Sequence, residues 1–275
     1  MQTILVPTDF SKNAFFAAQY AASLAQETGS KLQLYHVYIV LYSGFEEKGV
    51  SVTHVEWADQ EANKAMESLV TTLTEQYPGV NIEGECVRGF MIDSLRGKLK
   101  REKGIDLIVM GTKGVTNVAE SIFGSTTYEV LKKSPVPVLV IPGDTPDFSM
   151  QHVGFFSDFN EHEIDALKQM ETLLSPLETF EVIHFVREGA QAPTAGRENW
   201  QQKMTEAFPD REIPLEVIGV EKVDINSVAA VAKERKLDLM VFTRPQKPFF
   251  EMIFGASLTK SVANYPIIPS LFLKG

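Results

Sequence analysis

Short apolar runs alternate with stretches of helical periodicity along the whole chain, and the order of these elements starts over at residue 151. Thr3–Val6 reads as a strand closed by Pro7. Ser11–Glu27 carries Ala14, Phe15, Ala18, Ala21, Ala22 and Ala25 at helical spacing and stops at Gly29. Leu32–Val37 is a strand, Thr53–Gln76 a long amphipathic helix ended by Pro78-Gly79, Val80–Val87 a strand, and Ile92–Glu102 a helix closed by Gly104. Leu107–Met110 and Val136–Ile141 are strands flanking a helix over Ser125–Lys133. Strands separated by helices form βαβ units with right-handed crossovers and a parallel sheet.

The second pass matches the first residue by residue. Gln2-Thr3-Ile4-Leu5-Val6-Pro7-Thr8-Asp9-Phe10-Ser11 lines up with Gln151-His152-Val153-Gly154-Phe155-Phe156-Ser157-Asp158-Phe159-Asn160. Leu34-Tyr35-His36-Val37 lines up with Val182-Ile183-His184-Phe185, and Asp106-Leu107-Ile108-Val109 with Asp238-Leu239-Met240-Val241. The pattern is one domain duplicated, residues 1–143 and 144–275, with a joint near Pro142-Gly143-Asp144-Thr145-Pro146. The apolar strands Val136–Ile141 and Ile267–Leu273 are expected to join the two sheets edge to edge, covering edges otherwise prone to misassociation.

Between the strand ending at Met110 and the helix starting at Ser125 lie Gly111, Gly114 and Gly124. Glycine lets backbone approach a ligand without a Cβ clash. A helix start offers unpaired N–H groups and partial positive charge. Together they make a phosphate cradle. No Gly-Lys-Ser/Thr follows a four-residue gap, so the loop is not a P-loop.

The 275 residues suffice for two ordinary domains. A net charge of −10 argues against general nucleic-acid or anionic-membrane binding, which needs a basic surface. The single cysteine, Cys86, excludes an intrachain disulfide and reads as a strand thiol. No signal peptide precedes Thr3–Val6 and no apolar run is long enough to span a bilayer, so the expected location is the cytoplasm. The five histidines form no cluster with cysteine or paired acids, which argues against a protein-built metal site.

The Val6-Pro7-Thr8-Asp9-Phe10-Ser11 start, the Tyr35-His36-Val37 strand end and Val109-Met110-Gly111 leading into the glycine pattern resemble the universal stress protein family, in its tandem form. That family's nucleotide signature is Gly, two residues, Gly, nine residues, Gly, then Ser or Thr; Gly111, Gly114, Gly124 and Ser125 fit it. The resemblance implies two five-stranded parallel α/β domains of the adenine-nucleotide alpha-hydrolase-like, Rossmann-like type. It implies ATP as the ligand, with any magnesium carried by its phosphates. It places Pro7, Thr8, Asp9 and Val37 around adenine and ribose, and Met110, Gly111, Gly114, Gly124, Ser125 and Thr126 around ribose and phosphates. In such sheets a ligand sits at the carboxyl ends of the strands.

Each residue also has a plainer role open to it. Asp9 precedes a helix and is a good N-cap, and Asp158 persists in the half that lost the glycines. His36 and His184 recur at matching places, which favours packing or a local hydrogen bond over ligand contact. Tyr38–Val52 is long and apolar for a connection; it reads as a segment folded onto its own domain, a lid over adenine, or a docking surface. In the second half Thr243 replaces Gly111, the second glycine is missing, and Pro245 and Pro248 each remove a donor. Losing two charge-assisted hydrogen bonds costs about 3–6 kcal/mol of binding. One ATP per chain is therefore expected, in the first half, with the second half kept for intrachain pairing. A homodimer and an unidentified protein partner stay open. Two other functions compete with an ATP-binding stress regulator: a slow ATPase, and a nucleotide-independent interaction module. No residue is clearly set to activate water, since Glu120 is the one carboxylate in the loop.

Overall fold

The structure is a computed structural model, describing residues 2–40, 52–112, 125–143, 145, 148–175, 177, 179–189, 194–244 and 268–274. Among the described residues ten strands form one sheet. The first half supplies β1 (Thr3–Pro7), α1 (Lys12–Thr28), β2 (Lys31–Tyr38), α2 (Val52–Gln76), β3 (Ile82–Arg88), α3 (Met91–Arg101), β4 (Ile105–Gly111), α4 (Ser125–Lys133) and β5 (Val138–Ile141). The second supplies β6 (Val153–Phe156), α5 (Glu163–Leu173), β7 (Glu181–Arg187), α6 (Thr194–Ala207), β8 (Leu215–Val220), α7 (Ile225–Glu234), β9 (Leu239–Arg244) and β10 (Ser270–Lys274). The sheet order is β3-β2-β1-β4-β5-β10-β9-β6-β7-β8. Read outward from the middle, the two fives have the same connectivity in mirror order. Every pairing is parallel except β5 with β10, where Leu139 faces Leu271 in an antiparallel junction. The edge-to-edge joint expected from the apolar strands is thus present.

Parallel strands covered on both faces read as near-continuous apolar runs. In β1 the side chains alternate between layers: Ile4 and Val6 pack in the layer with α1 and α2, while Leu5 packs in the layer with α3 and α4. The first layer also takes α5 and α6, and the second takes α7. The apolar stripe of α1 is mostly alanine, and Ala17, Ala18, Ala21 and Ala22 are fully buried. Small side chains let this helix lie close on the sheet.

Element ends follow local chemistry. Ser11 caps α1, its hydroxyl accepting from Ala14 N–H at 3.2 Å. Gly29 ends the helix in the left-handed conformation, φ +65°, with open space where a Cβ would stand. Gly29→Ala is therefore expected to cost about 1 kcal/mol from backbone strain alone, read as a lower urea midpoint at unchanged slope; a stabilised variant would contradict it. Several boundaries shift by one to three residues from the periodicity, and two of the shifts have a visible local cause. Val80 is buried in the turn before β3, and β5 starts at Val138 because Ser134 ties Val136 into a turn. Cys86 lies in β3, half-buried, its thiol directed at Ala62 O.

Two aspartates repeat one device at the amino ends of the strands. Asp106 accepts from Gln2 N–H at 2.6 Å, and the matched Asp238 accepts from Gln151 N–H at 3.2 Å and His152 N–H at 2.8 Å.

Candidate functional site

The carboxyl ends of β1, β2 and β4 lie together beside the start of α1, the place where an open parallel sheet has its binding crevice. Thr8 is buried just past β1. Its N–H donates to Tyr35 O at 2.9 Å, its hydroxyl oxygen accepts from Phe10 N–H at 3.1 Å, and its carbonyl lies 2.8 Å from His36 Nδ1. A carbonyl can only accept, so Nδ1 carries the proton. Phe10 takes φ +60°, and its ring lies 4.4 Å from the His36 ring. His36 in turn stacks on Tyr38 at 5.6 Å with planes 9° apart. Tyr38 donates to Asp59 at 2.5 Å, and Asp59 also pairs with Arg88 at 3.2 Å. Burial and then the Asp59 hydrogen bond push the Tyr38 phenol up to about 12. This ladder fixes the β2 end of the crevice.

Asp9 is exposed at the mouth and is not the N-cap. That role falls to Ser11, while Asp9 Oδ1 accepts from Ser11 N–H at 3.0 Å in an Asx turn. The capping alternative for Asp9 is thereby corrected. The side chain is held two residues ahead of the N-cap of α1.

Gly111 ends β4 against the first turn of α1. A Cβ there would stand 2.9 Å from Asn13 O and 3.1 Å from Asn13 C, both backbone atoms. Its carbonyl accepts from the buried Thr127 hydroxyl at 2.9 Å, tying the first turn of α4 to the end of β4. Thr126 faces solvent beside it. Pro7 and Met110 are buried, and Val37 is half-buried in the α3–α4 layer. The structure thus brings Pro7, Thr8, Asp9, Val37, Met110, Gly111 and the start of α4 to one end of the sheet. Gly114 and Gly124 lie outside the described residues, as do the side chain of Ser125, Glu120, most of Tyr38–Val52, and Pro245 and Pro248.

The second half builds the same strand-end motif. His184 Nδ1 is 2.7 Å from Ser157 O, Phe159 takes φ +58°, and its ring lies 4.2 Å from His184. The histidine pair is accordingly structural in both halves, as their matched positions suggested. What the sequence reading missed is Glu163. It is fully buried at the start of α5, accepting from the Ser157 hydroxyl and, at 2.9 Å, from Asp158 N–H. The signal was available: Glu163 stands where the first half has Ala14.

A sequence profile described as the Universal stress protein family matches residues 1–142. Universal stress protein MJ0531 of Methanocaldococcus jannaschii is 31% identical over 141 residues, 50% of this chain and 80% of that protein. Universal stress protein MJ0577 of the same organism is 30% identical over 153 residues, 50% of this chain and 93% of its own length. A universal stress protein from Archaeoglobus fulgidus superposes over 99% of this chain and 96% of its own, with TM-score 0.69 at 16% identity, a likeness of fold. The chain belongs to the universal stress protein family. Its fold is the α/β, Rossmann-like, nucleotide-hydrolase-like one, and no helix among the described residues is long and apolar enough to cross a membrane.

Proposed function

We propose that this protein is an ATP-binding stress regulator with one nucleotide site, in the crevice of its first half. In this reading residues 1–143 form the binding domain and residues 144–275 a degenerate copy whose role is pairing through β5 and β10. Pro7, Thr8, Asp9 and Val37 face adenine and ribose. Met110, Gly111, Gly114, Gly124, Ser125 and Thr126 surround ribose and phosphates.

One observation carries the reading. The start of α4 is tied by Thr127 to the carbonyl of Gly111, at a point where β4 and α1 approach too closely for any side chain, and the first N–H groups of a helix have no partner within its own ladder. Such a strand-to-helix junction presents main-chain donors at the carboxyl edge of a parallel sheet, where anions bind. Asp9 is exposed just past β1, at the same end of the sheet.

The Asp9 carboxylate also accepts from Ser11 N–H, so Asp9→Asn, which keeps that acceptor and removes the charge, is measured beside Asp9→Ala to separate ligand contact from loss of the turn. Asp9→Ala is expected to weaken ATP about tenfold, the value of one lost hydrogen bond of ~1.4 kcal/mol. Native mass spectrometry over an ATP series reads this directly. Unchanged affinity in the variant would remove Asp9 from the site.

A further inference from the structure

The second half has filled its own crevice. At the positions matching Pro7, Val37 and Met110 it carries Phe156, Phe185 and Phe242. The strand registers confirm the match: Pro7 pairs with Tyr35 as Phe156 pairs with Ile183, and Met110 pairs with Val140 as Phe242 pairs with Phe272. The Phe156 ring lies 5.7 Å from that of Phe185 and 5.0 Å from that of Phe242, and Phe242 stacks on Phe272 at 5.5 Å. These are contact separations for aromatic pairs, so no further ring can enter between them. Phe156 and Phe242 are buried, as Pro7 and Met110 are in the first half, so the two walls differ in the volume of their side chains and not in depth.

One residue beyond Phe156, the Glu163 carboxyl takes the Ser157 hydroxyl and the Asp158 amide. The matched residue in the first half, Ala14, has no group to do this.

We infer that the second half is closed to nucleosides by these side chains: three phenylalanines occupy its base-facing wall, and Glu163 saturates the donors at the end of β6. The inference rests on the proposed nucleotide site of the first half, which identifies the matched wall. It goes further than the lost glycines, which would weaken only the phosphate end and leave the base end open.

Adenosine separates the two causes, because it needs no phosphate cradle. We would titrate it into the full chain and into Phe185→Val/Phe242→Met, which gives the second half two of the three residues of the first half's wall and leaves Phe156, following methyl NMR signals. Ile218 and Val228 pack in the same layer as the three rings and report on the second crevice, while Val37 and Met110 report on the first. In the native chain Val37 and Met110 are expected to shift while Ile218 and Val228 stay still at millimolar adenosine. In the variant Ile218 and Val228 are expected to shift too, with at least tenfold stronger response than in the native chain. Phe185→Val alone, at the half-buried ring, carries the same expectation should the double variant unfold. Ile218 and Val228 moving in the native chain as readily as Val37, or staying still in the folded variant, would overturn the inference. Silent Val37 and Met110 alongside a responsive variant would instead sink the first-half site and leave the closure standing.

Discussion

Gly111→Val is expected to abolish ATP binding and to lower stability by about 3 kcal/mol, the upper part of the usual range for overpacking. A Cβ at this position meets backbone, not a flexible side-chain end. Relief requires α1 or β4 to move. The first turn of α1 carries the Ser11 cap and follows the Asp9 turn, and the Gly111 carbonyl holds α4 through Thr127. Any shift therefore reaches both sides of the crevice. Urea denaturation gives the stability change, and equilibrium dialysis with ATP gives the binding. A variant as stable as the native chain would mean the approach of β4 to α1 is looser than 2.9 Å to Asn13 O implies.

Glu163→Ala is expected to cost about 2–5 kcal/mol. It strips the acceptor from the Ser157 hydroxyl and from the Asp158 amide, and each buried unsatisfied group costs about 1–3 kcal/mol. Ser157 also holds Phe159 N–H at 3.0 Å and, by its carbonyl, His184, so the loss is felt through the strand-end motif. Glu163→Gln keeps one acceptor and should cost less than half as much. The comparison separates hydrogen bonding from volume: equal losses in both variants would show that the carboxyl's acceptors are not what stabilises this corner. ATP binding in the first half should be unaffected by either change, since the two crevices open at opposite ends of the sheet across the antiparallel β5–β10 junction.

Much of the fold was legible because each strand is a short apolar run and α1 carries its caps in sequence. Ser11 and Gly29 bound α1 as their chemistry requires. The duplication was equally plain, and it carried the expectation that β5 and β10 would meet. Less legible was the division of labour at the strand ends. Asp9 and Ser11 are both good caps, and only the geometry shows that Ser11 takes Ala14 N–H while Asp9 turns back on Ser11. The phenylalanines of the second half read simply as strand formers. Phe156 and Phe242 lie 86 positions apart in sequence, and their contact follows from the pairing of β6 with β9. Glu163 looked like an ordinary acidic residue in a first helical turn; its burial depends on Ser157 and Asp158 folding over it.

The asymmetry between the halves has a physical shape. Both keep the Thr/Ser–Phe–His motif that shapes the end of the first strand, because it holds the chain entry to α1 and α5. The second has Thr243 buried where Gly111 stands, a carboxyl where Ala14 stands, and aromatic rings along the wall. In the proposed function the first half offers main-chain donors to a ligand, while in the second the Ser157 hydroxyl and the Asp158 amide go to Glu163.

Titration calorimetry of the full chain with ATP tests this most directly. One molar equivalent is expected, bound in the first half and lost in Gly111→Val. Two equal equivalents, or no heat of binding to a folded chain, would contradict it.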